Sequence, residues 1–397
     1  MIDINAEQKR ASDPLTSVWV SASAGSGKTK VLTDRVLNLL LMTGNPEKLL
    51  CLTFTKAATA EMANRIGGIL KKWAVCPETD LVKSLITLRN ETPDADLIVR
   101  ARRLFAKVLE AKGGMKIMTI HSFCQSILKR FPLEAGISPD FEIIDDKTAD
   151  IILNDTLNQT LLRPEFLPDI NLLSQYQTPD GLIQLLQELF SFRTQLMHLR
   201  DRHSLSTLIY QMKQSFGLTK YDSEQEIIAD CFDPNDWPDI RNKYLTKKGT
   251  VLKLKANEPV AQKAEEVMQD IKNLNLIRIT EKLLHLAYSV LEEYQYQKQA
   301  KGLLDYDDLI SLTKQLLSGS HAAAWVLFKL DGGIDHILVD EAQDTNPDQW
   351  AIVRLISEEF FAGADHHDTI RTIFAVGDKK QSIYSFQGAD PDEFERM

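Results

Sequence analysis

The segment that most constrains the fold is Ser21–Thr29, which reads SASAGSGKT. It follows a short apolar run, Val18–Ser21, and leads into a helical stretch whose apolar residues recur on one face. Gly25 and Gly27 allow the backbone to turn so that its N–H groups point at an anion, and the helix N-terminus adds partial positive charge. Ala22 stands where the pattern G-x-x-x-x-G-K-[ST] has its first glycine, a departure that the loop tolerates. The segment therefore predicts a phosphate-binding loop between a strand and a helix.

Two side chains of this loop carry the chemistry of nucleotide binding. Lys28 can reach the β- and γ-phosphates, and the Thr29 hydroxyl can ligate Mg²⁺. We therefore predict that ATP and Mg²⁺ bind here. The alternative, a tight glycine turn with a chance lysine, is disfavoured by the order of strand, loop and helix. The predicted ATP-binding residues of the loop are Ala22, Ser23, Ala24, Gly25, Ser26, Gly27, Lys28 and Thr29.

Four later segments repeat the order of apolar strand, loop and helix. The predicted strands are Leu49–Phe54, Lys116–Ile120, His336–Val339 and Thr372–Val376. Strands that are apolar throughout and alternate with helices indicate a parallel sheet covered on both faces, which defines an α/β fold. Because ligands bind such a sheet at the carboxyl ends of its strands, we expect the motifs that follow these strands to gather at one edge.

The middle of the chain differs from its two ends. Residues 145–299 are rich in Leu, Gln, Lys and Glu, with helical periodicity and few strand signals. We therefore predict a mainly helical domain inserted into the α/β domain. The α/β domain then comprises residues 1–144 and 300–397.

A carboxylate pair follows the strand His336–Val339, in the segment ILVDEAQD. Asp340 is predicted to hold Mg²⁺ directly or through water, and Glu341 to orient and deprotonate the attacking water. The alternative is an acidic helix N-cap, which favours the same residue types. A phosphate-binding loop elsewhere in the chain favours the catalytic interpretation.

The segment VGDKKQSIYSFQGAD follows the last predicted strand. Gln381 could hydrogen-bond both the γ-phosphate and the attacking water. Exposed aromatic side chains after a sheet edge are good stacking platforms for unpaired bases, so Tyr384 and Phe386 are candidate stacking residues. The alternative is that both aromatic residues belong to the core, the commoner fate of such side chains.

Composition limits the class of protein. The chain has 397 residues, of which 44% are hydrophobic and 26% charged, as in ordinary globular proteins. It has no long apolar run for a membrane span and no apolar N-terminal signal, so we expect a cytoplasmic protein without a membrane partner. The cysteines show no metal-ligand spacing and are expected to be reduced, mostly buried thiols rather than a metal site or disulfides. They are Cys51, Cys76, Cys124 and Cys231.

The net charge of −10 argues weakly against a nucleic-acid partner, but the local distribution of charge decides such binding. Residues 100–130 contain eight basic side chains against the single acid Glu110, and residues 241–255 contain six without any acid. Each run is either a solvated helix face or a set of contacts to the phosphate backbone.

Seven motifs occur in a fixed order: NAEQKRA, SASAGSGKT, LTFTKAATAEM, TIHSFC, LLDYDDLI, ILVDEAQDTNPDQW and GDKKQSIYSFQGADP. In this order they resemble the N-terminal half of the UvrD-like superfamily 1 DNA helicases, and among these the AddA type, the helicase–nuclease subunit of bacterial double-strand-break repair complexes. The basic segment YLTKKGTVLKLK is also similar to the AddA type. The motifs span Asn5 to Pro391, nearly the whole chain. The resemblance implies a RecA-like domain and a bacterial, ATP-dependent DNA helicase or translocase of repair and recombination. The implied partners are DNA and a second subunit of an AddAB-type complex.

The resemblance also implies roles for single residues. Gln8 matches the residue that reads the adenine edge, and Gln381 matches the γ-phosphate sensor. The implied catalytic residues are Lys28, Asp340, Glu341 and Gln381, with Thr29 and Asp340 at the metal. The implied contacts to single-stranded DNA are Phe54, Thr55, His121, Ser122, Tyr384 and Phe386. For Phe54 and His121, packing of a βα turn is the alternative.

The chain departs from the full family pattern at one position and in its length. Many relatives have an arginine near the position of Gln387, so the resemblance does not imply that cationic phosphate contact for this chain. We expect a longer protein, because no second RecA-like domain and no nuclease domain follow before Met397. Two alternatives stay open: a nucleotide- and DNA-binding module with negligible turnover, and another repair helicase of the UvrD type. A transporter ATPase is disfavoured because LLSGS lacks the rest of the LSGGQ signature. Asp305, Asp307 and Asp308 are expected to cap a helix.

Overall fold

The computed structural model describes residues 4–21, 27–111, 114–319, 321–331, 333–362 and 370–378. The chain divides into two compact units. The first comprises residues 1–142 and 304–397, and the second comprises residues 143–303. The first unit is a layered α/β structure and the second is mainly helical, so the predicted α/β fold with a helical insert is confirmed.

A five-stranded parallel sheet forms the centre of the first unit, in the order β1-β7-β6-β2-β3. Its strands are β1 (Val18–Ser21), β2 (Leu49–Thr53), β3 (Lys116–Thr119), β6 (His336–Val339) and β7 (Thr372–Gly377). Every residue of β2, β6 and β7 is buried. Central strands of a parallel sheet are covered on both faces, which explains why these segments are apolar without alternation.

Nine helices of the first unit are described. They are α1 (Ile4–Ala11), α2 (Lys28–Thr43), α3 (Lys56–Val75), α4 (Glu78–Arg89), α5 (Ala95–Glu110), α6 (Ile120–Arg130), α15 (Tyr306–Ser318), α16 (His321–Asp331) and α17 (Pro347–Ala362). The apolar stripe of α2 packs with α3, α4 and α5 and with β6 and β7 into one core that includes Leu40, Leu70, Trp73 and Phe374. Single turns of 3-10 helix lie at Pro46–Lys48 and Ala342–Asp344.

The second unit is organised around α14 (Pro259–Ala300), a helix of 42 residues. One core packs on the second half of α14, around Leu286 and Tyr294, and a separate core packs on its first half, around Val267 and Leu274. The other helices are α7 (Asp146–Leu161), α8 (Leu167–Leu173), α9 (Pro179–Phe190), α10 (Arg193–Arg202), α11 (Leu205–Ser215), α12 (Glu224–Ala229) and α13 (Trp237–Tyr244). Two short strands, β4 (Glu142–Ile143) and β5 (Leu303–Leu304), form a second sheet.

Two further observations concern sequence expectations about membranes and cysteines. Among the described residues, no helix combines the length and apolarity needed to cross a bilayer. Cys51 and Cys124 are buried thiols, and burial raises the pKa of each to about 12. Cys76 and Cys231 are half-buried free thiols.

Candidate nucleotide-binding site

The carboxyl ends of the five strands lie at one edge of the sheet, and the described motif residues follow those ends. Gly27 ends the predicted phosphate-binding loop with φ 88°, in the left-handed region, and directly precedes α2. A Cβ at this position would lie 2.9 Å from Gln8 Nε2. The structure therefore brings Gln8, the predicted adenine-reading residue, against the end of the loop. A cavity of about 910 Å³ is lined by Gln8, residues of β1 and Lys28.

Lys28 is the first residue of α2 and its ammonium group is largely buried. The side chain is 12% exposed, and Nζ lies 3.8 Å from Glu341 Oε2. Within the described residues, Nζ has no hydrogen-bond acceptor. A buried ammonium group without an acceptor is costly, and a phosphate oxygen would supply the acceptor. The arrangement therefore fits a bound nucleotide phosphate.

Asp340 follows β6 directly, and its backbone N–H donates to the Leu52 carbonyl of β2 at 2.9 Å. Burial raises the pKa of Asp340 to about 6, and the neighbouring Glu341 carboxylate acts in the same direction, against the opposing effect of Lys28. A cation beside a buried carboxylate stabilises its charged form. The Asp340 carboxylate and the Thr29 hydroxyl are the hard oxygen donors that Mg²⁺ prefers, so both fit as its ligands.

Glu341 has an unusual backbone conformation, with φ 51° and ψ 47°. Glu341 and Asn90 are the two non-glycine residues with positive φ in the described part of the chain. A left-handed conformation at such a residue costs of the order of 1–3 kcal/mol and is maintained by its surroundings. The Glu341 N–H donates to Asp340 Oδ1 at 3.0 Å, which links the two predicted catalytic acids through the backbone.

Gln343 is a residue of this site that was not predicted from the sequence. It is buried, and its Nε2 donates to Glu341 Oε2 at 2.7 Å. Its Oε1 accepts from the backbone N–H of Asp378, the residue after β7, at 2.8 Å. In the segment DEAQD, the acidic residues indicated metal binding and catalysis, whereas a single glutamine between them has no role that the sequence alone predicts.

Arg35 is a second residue that was not predicted from the sequence. Its side chain is fully buried and its guanidinium donates to main-chain carbonyls of Ala11, Asp13 and Thr16, and to Thr372 Oγ1. Burial lowers the pKa of Arg35 to about 10. These contacts hold residues 11–16, which connect α1 and its residue Gln8 to β1, against α2.

The predicted DNA contacts that are described lie after β2 and β3. Phe54 is half-buried, and the exposed Thr55 caps α3, with its hydroxyl accepting from the Ala58 N–H at 3.0 Å. His121 packs edge-on against the Tyr306 ring at 5.4 Å, and the Ser122 hydroxyl pairs with Thr119 Oγ1 at 2.9 Å. The structure therefore places all four at the same sheet edge as the candidate nucleotide site. Contact of these residues with DNA stays a prediction.

The aspartates of LLDYDDLI have the capping role that we expected. Asp305 Oδ1 accepts from the Asp308 N–H, and Asp308 Oδ2 accepts from the Asp305 N–H, both at 3.0 Å. This reciprocal pair is a capping box at the start of α15. The prediction that these aspartates cap a helix is confirmed for Asp305 and Asp308.

Several predicted site residues lie outside the described part of the chain. They are Ala22, Ser23, Ala24, Gly25 and Ser26 of the loop, and Gln381, Tyr384, Phe386 and Gln387 after β7.

The two basic runs differ in how their charges are used. In residues 100–130, several cations donate to main-chain carbonyls within the first unit: Arg100 to Leu41, Arg102 to Trp73, Lys107 to Gly44, Lys116 to Gly333 and Arg130 to Lys329. In the second run, Lys247 and Lys248 are exposed at a turn between the bridged residues Leu245 and Val251. The second run is therefore the better candidate for phosphate contacts.

The fold is that of a RecA-like α/β domain with a helical insert, and the described residues of the candidate site fit a bound nucleotide. The family model described as the UvrD/REP helicase N-terminal domain matches residues 4–397. The chain therefore belongs to the UvrD/REP helicase family, whose members use ATP and bind DNA.

Three curated relatives illustrate this similarity, and each is named as a subunit of an ATP-dependent helicase/nuclease. The chain is 27% identical to that of Desulforamulus reducens over 96% of its own length, 26% identical to that of Clostridium botulinum over 95%, and 25% identical to that of Ligilactobacillus salivarius over 98%. It covers 35% of each of these relatives, so the chain spans about a third of their length.

Proposed function

We propose that this chain is the N-terminal ATP- and DNA-binding portion of an ATP-driven DNA helicase or translocase of the AddA type, acting in double-strand-break repair and recombination. The observation that carries the proposal is the Lys28 ammonium group, buried without an acceptor among the described residues and 3.8 Å from the Glu341 carboxylate. An ammonium group and a carboxylate at that separation would face the γ-phosphate and the water that attacks it.

Each residue of the site then has a task in hydrolysis. Lys28 would bind the β- and γ-phosphates, and Glu341 would accept the proton of the attacking water. Thr29 and Asp340 would hold Mg²⁺, which when bound neutralises charge on the phosphates. Gln8 would select the adenine edge, and Gln381 would contact the γ-phosphate.

The DNA would lie along the same sheet edge. Phe54, Thr55, His121 and Ser122 follow β2 and β3 there, and Tyr384 and Phe386 complete the proposed set. Stacking of bases on such aromatic side chains contributes about 1–3 kcal/mol per base. The names of the curated relatives support an assembly with a second subunit, which we propose as the protein partner, and co-purification from the native cell would identify it.

The test is ATP hydrolysis with and without single-stranded DNA, measured for residues 1–397 and for the natural gene product in which they occur. Lys28→Ala should lower turnover at least about a hundredfold, as expected for loss of a group that stabilises the transition state. Lys72→Ala is the matched control, because Lys72 is exposed near the end of α3, and it should leave turnover unchanged. Full activity of Lys28→Ala would contradict the site assignment.

A second candidate function is a nucleotide- and DNA-binding module that turns over negligibly. The observation that favours it is that the chain spans about a third of the length of its relatives. Nucleotide binding that Lys28→Ala weakens, with no DNA-stimulated hydrolysis in either protein, would support this module over the motor. Unwinding by another UvrD-type helicase would instead be recognised by activity that needs no second subunit.

A further inference from the structure

The buried side chain of Gln343 connects two parts of the candidate site. Its amide nitrogen donates to Glu341 Oε2 at 2.7 Å and contacts Asp344 Oδ2 at 3.2 Å. Its amide oxygen accepts from the Asp378 N–H at 2.8 Å. One amide therefore spans from the predicted catalytic carboxylate to the backbone at the end of β7.

Gly377, the last residue of β7, provides the space that this amide occupies. A Cβ at Gly377 would lie 2.7 Å from Gln343 Oε1 and 3.2 Å from the Gln343 backbone nitrogen. Real Cβ atoms do not approach an oxygen so closely, so any larger residue would displace Gln343. The requirement for glycine comes from this close approach, because β7 has ordinary strand geometry at this point.

We propose that Gln343 is a positioning residue for hydrolysis, which holds the Glu341 carboxylate in its reactive orientation from an anchor on β7. This inference rests on the proposed function of Glu341. Glu341 has a left-handed backbone, and the Gln343 amide is a directional contact on the carboxylate oxygen that also lies 3.8 Å from Lys28 Nζ. Without that contact the carboxylate would be free to move toward the ammonium group, away from the attacking water.

Substitutions of Gln343 test the donor directly. Gln343→Ala removes the donor to Glu341 and Asp344 and the acceptor for the Asp378 N–H, whereas Gln343→Glu keeps that acceptor but has no donor for either carboxylate. Both should lower kcat by about 10- to 100-fold, the range expected when a catalytic group is misplaced by about 1 Å. The KM for Mg·ATP should stay within about twofold, because Lys28 and Gln8, which bind the nucleotide, are unchanged. A rise in KM would indicate a loss of substrate binding rather than of catalysis.

The matched control is Gln349→Ala. Gln349 is also buried, and its side chain accepts from the Asn346 N–H at 3.2 Å at the start of α17. Among the hydrogen bonds of the described residues, none joins Gln349 to Glu341. The control should leave kcat unchanged. A fall in kcat as large as that of Gln343→Ala would show that any buried polar loss in this region suffices, and would overturn the proposal.

Gly377→Ala is an independent test that keeps every atom of Gln343. It should lower kcat like Gln343→Ala, and the double variant Gln343→Ala/Gly377→Ala should be no worse than either single variant, since both act through the same contact. Additive losses would show that Gly377 acts by another route and would overturn the anchoring role.

A crystal structure of Gln343→Ala separates this inference from the proposed function. We expect the Glu341 carboxylate to leave its present position by more than about 0.5 Å, the tolerance of a productive geometry. An unmoved carboxylate would overturn the positioning role whether or not the protein hydrolyses ATP. Absence of ATP hydrolysis in the unmodified protein, with the carboxylate displaced in the variant, would contradict the motor function and leave the positioning role standing.

Discussion

At the scale of single residues, Asp340 combines an unfavourable position with a predicted task. Burial raises the pKa of its carboxyl group to about 6 from 3.8. Folding at neutral pH therefore forces a charged group into a place that favours its neutral form. Residues selected for binding a cation show this kind of conflict between stability and function.

We predict that Asp340→Asn is more stable than the unmodified protein and inactive in ATP hydrolysis. The raised pKa means that the folded protein binds a proton more tightly than the unfolded chain, so the charge of Asp340 begins to destabilise the fold above about pH 4 and does so fully above about pH 6. The gain in the free energy of unfolding should be about 1–3 kcal/mol at pH 7.5 and should shrink as the pH falls from 6 toward 4. Urea denaturation without added Mg²⁺, at a series of pH values, measures both quantities.

Asp335→Asn provides the contrast, because it removes a charge from the opposite end of β6. Asp335 is buried and pairs with Lys48 at 3.2 Å and with Arg371 at 3.7 Å. Asp335→Asn removes a buried carboxylate that two cations contact, so this variant should be less stable at neutral pH. A destabilised Asp340→Asn protein at pH 7.5 would refute the interpretation of Asp340.

At the scale of secondary structure, the placement of α1 depends on one side chain from α2. Arg35 hydrogen-bonds three carbonyl groups of residues 11–16 and lies over the Phe374 ring at 5.1 Å. The helix that carries Gln8 is short, and helices of this length are marginal on their own. Its position beside the loop is therefore set by tertiary contacts more than by its own sequence.

We predict that Arg35→Ala lowers the free energy of unfolding by about 3–5 kcal/mol, because it removes a large buried side chain together with its donors to three partly buried carbonyl groups. Arg35→Lys should recover only part of this loss, since one ammonium group cannot reproduce the several fixed donors of the planar guanidinium group. Where the lysine variant folds, its affinity for ATP should fall because Gln8 is less well held. Urea denaturation and nucleotide titration measure the two effects.

Arg65→Ala is the control for Arg35. Arg65 is exposed on α3 and pairs with Glu61 one turn away at 2.8 Å. Loss of such a surface pair changes stability by less than about 1 kcal/mol. Equal effects of the two substitutions would contradict the anchoring role of Arg35.

At the scale of the whole molecule, the strands could be predicted from the sequence, whereas their order in the sheet and the long-range side-chain contacts could not. The apolar strands were predictable because central parallel strands are apolar throughout, and each predicted strand agrees with the structure to within a residue. The order β1-β7-β6-β2-β3 was not predicted, since it pairs β1 with a strand about 350 residues later. The contact of Arg35 with Thr372 was missed for the same reason, since the two residues lie 337 positions apart. Gln343 was missed because the sequence does not show that its amide bridges Glu341 and the backbone after β7.

Charge runs show the same limit. From the sequence, residues 100–130 and 241–255 were equal candidates for phosphate contacts. In the structure, several cations of the first run donate hydrogen bonds to main-chain carbonyls within the first unit, whereas Lys247 and Lys248 of the second run are exposed. Only three-dimensional contacts distinguish a basic residue that stabilises a fold from one that is available to a ligand.

We predict that Lys247→Gln/Lys248→Gln weakens DNA binding about tenfold or more at 0.1 M salt, because each phosphate contact releases counterions. A plot of the logarithm of the association constant against the logarithm of salt concentration should lose about 1.8 from its slope, or about 0.9 for each lysine. The matched variant Lys71→Gln/Lys72→Gln removes the same charge from exposed positions near the end of α3 and should leave the slope unchanged. Fluorescence anisotropy with a labelled duplex carrying a single-stranded tail measures both. An equal change of slope in the two variants would show that net charge alone governs binding, and the turn at Lys247 would then have no specific role.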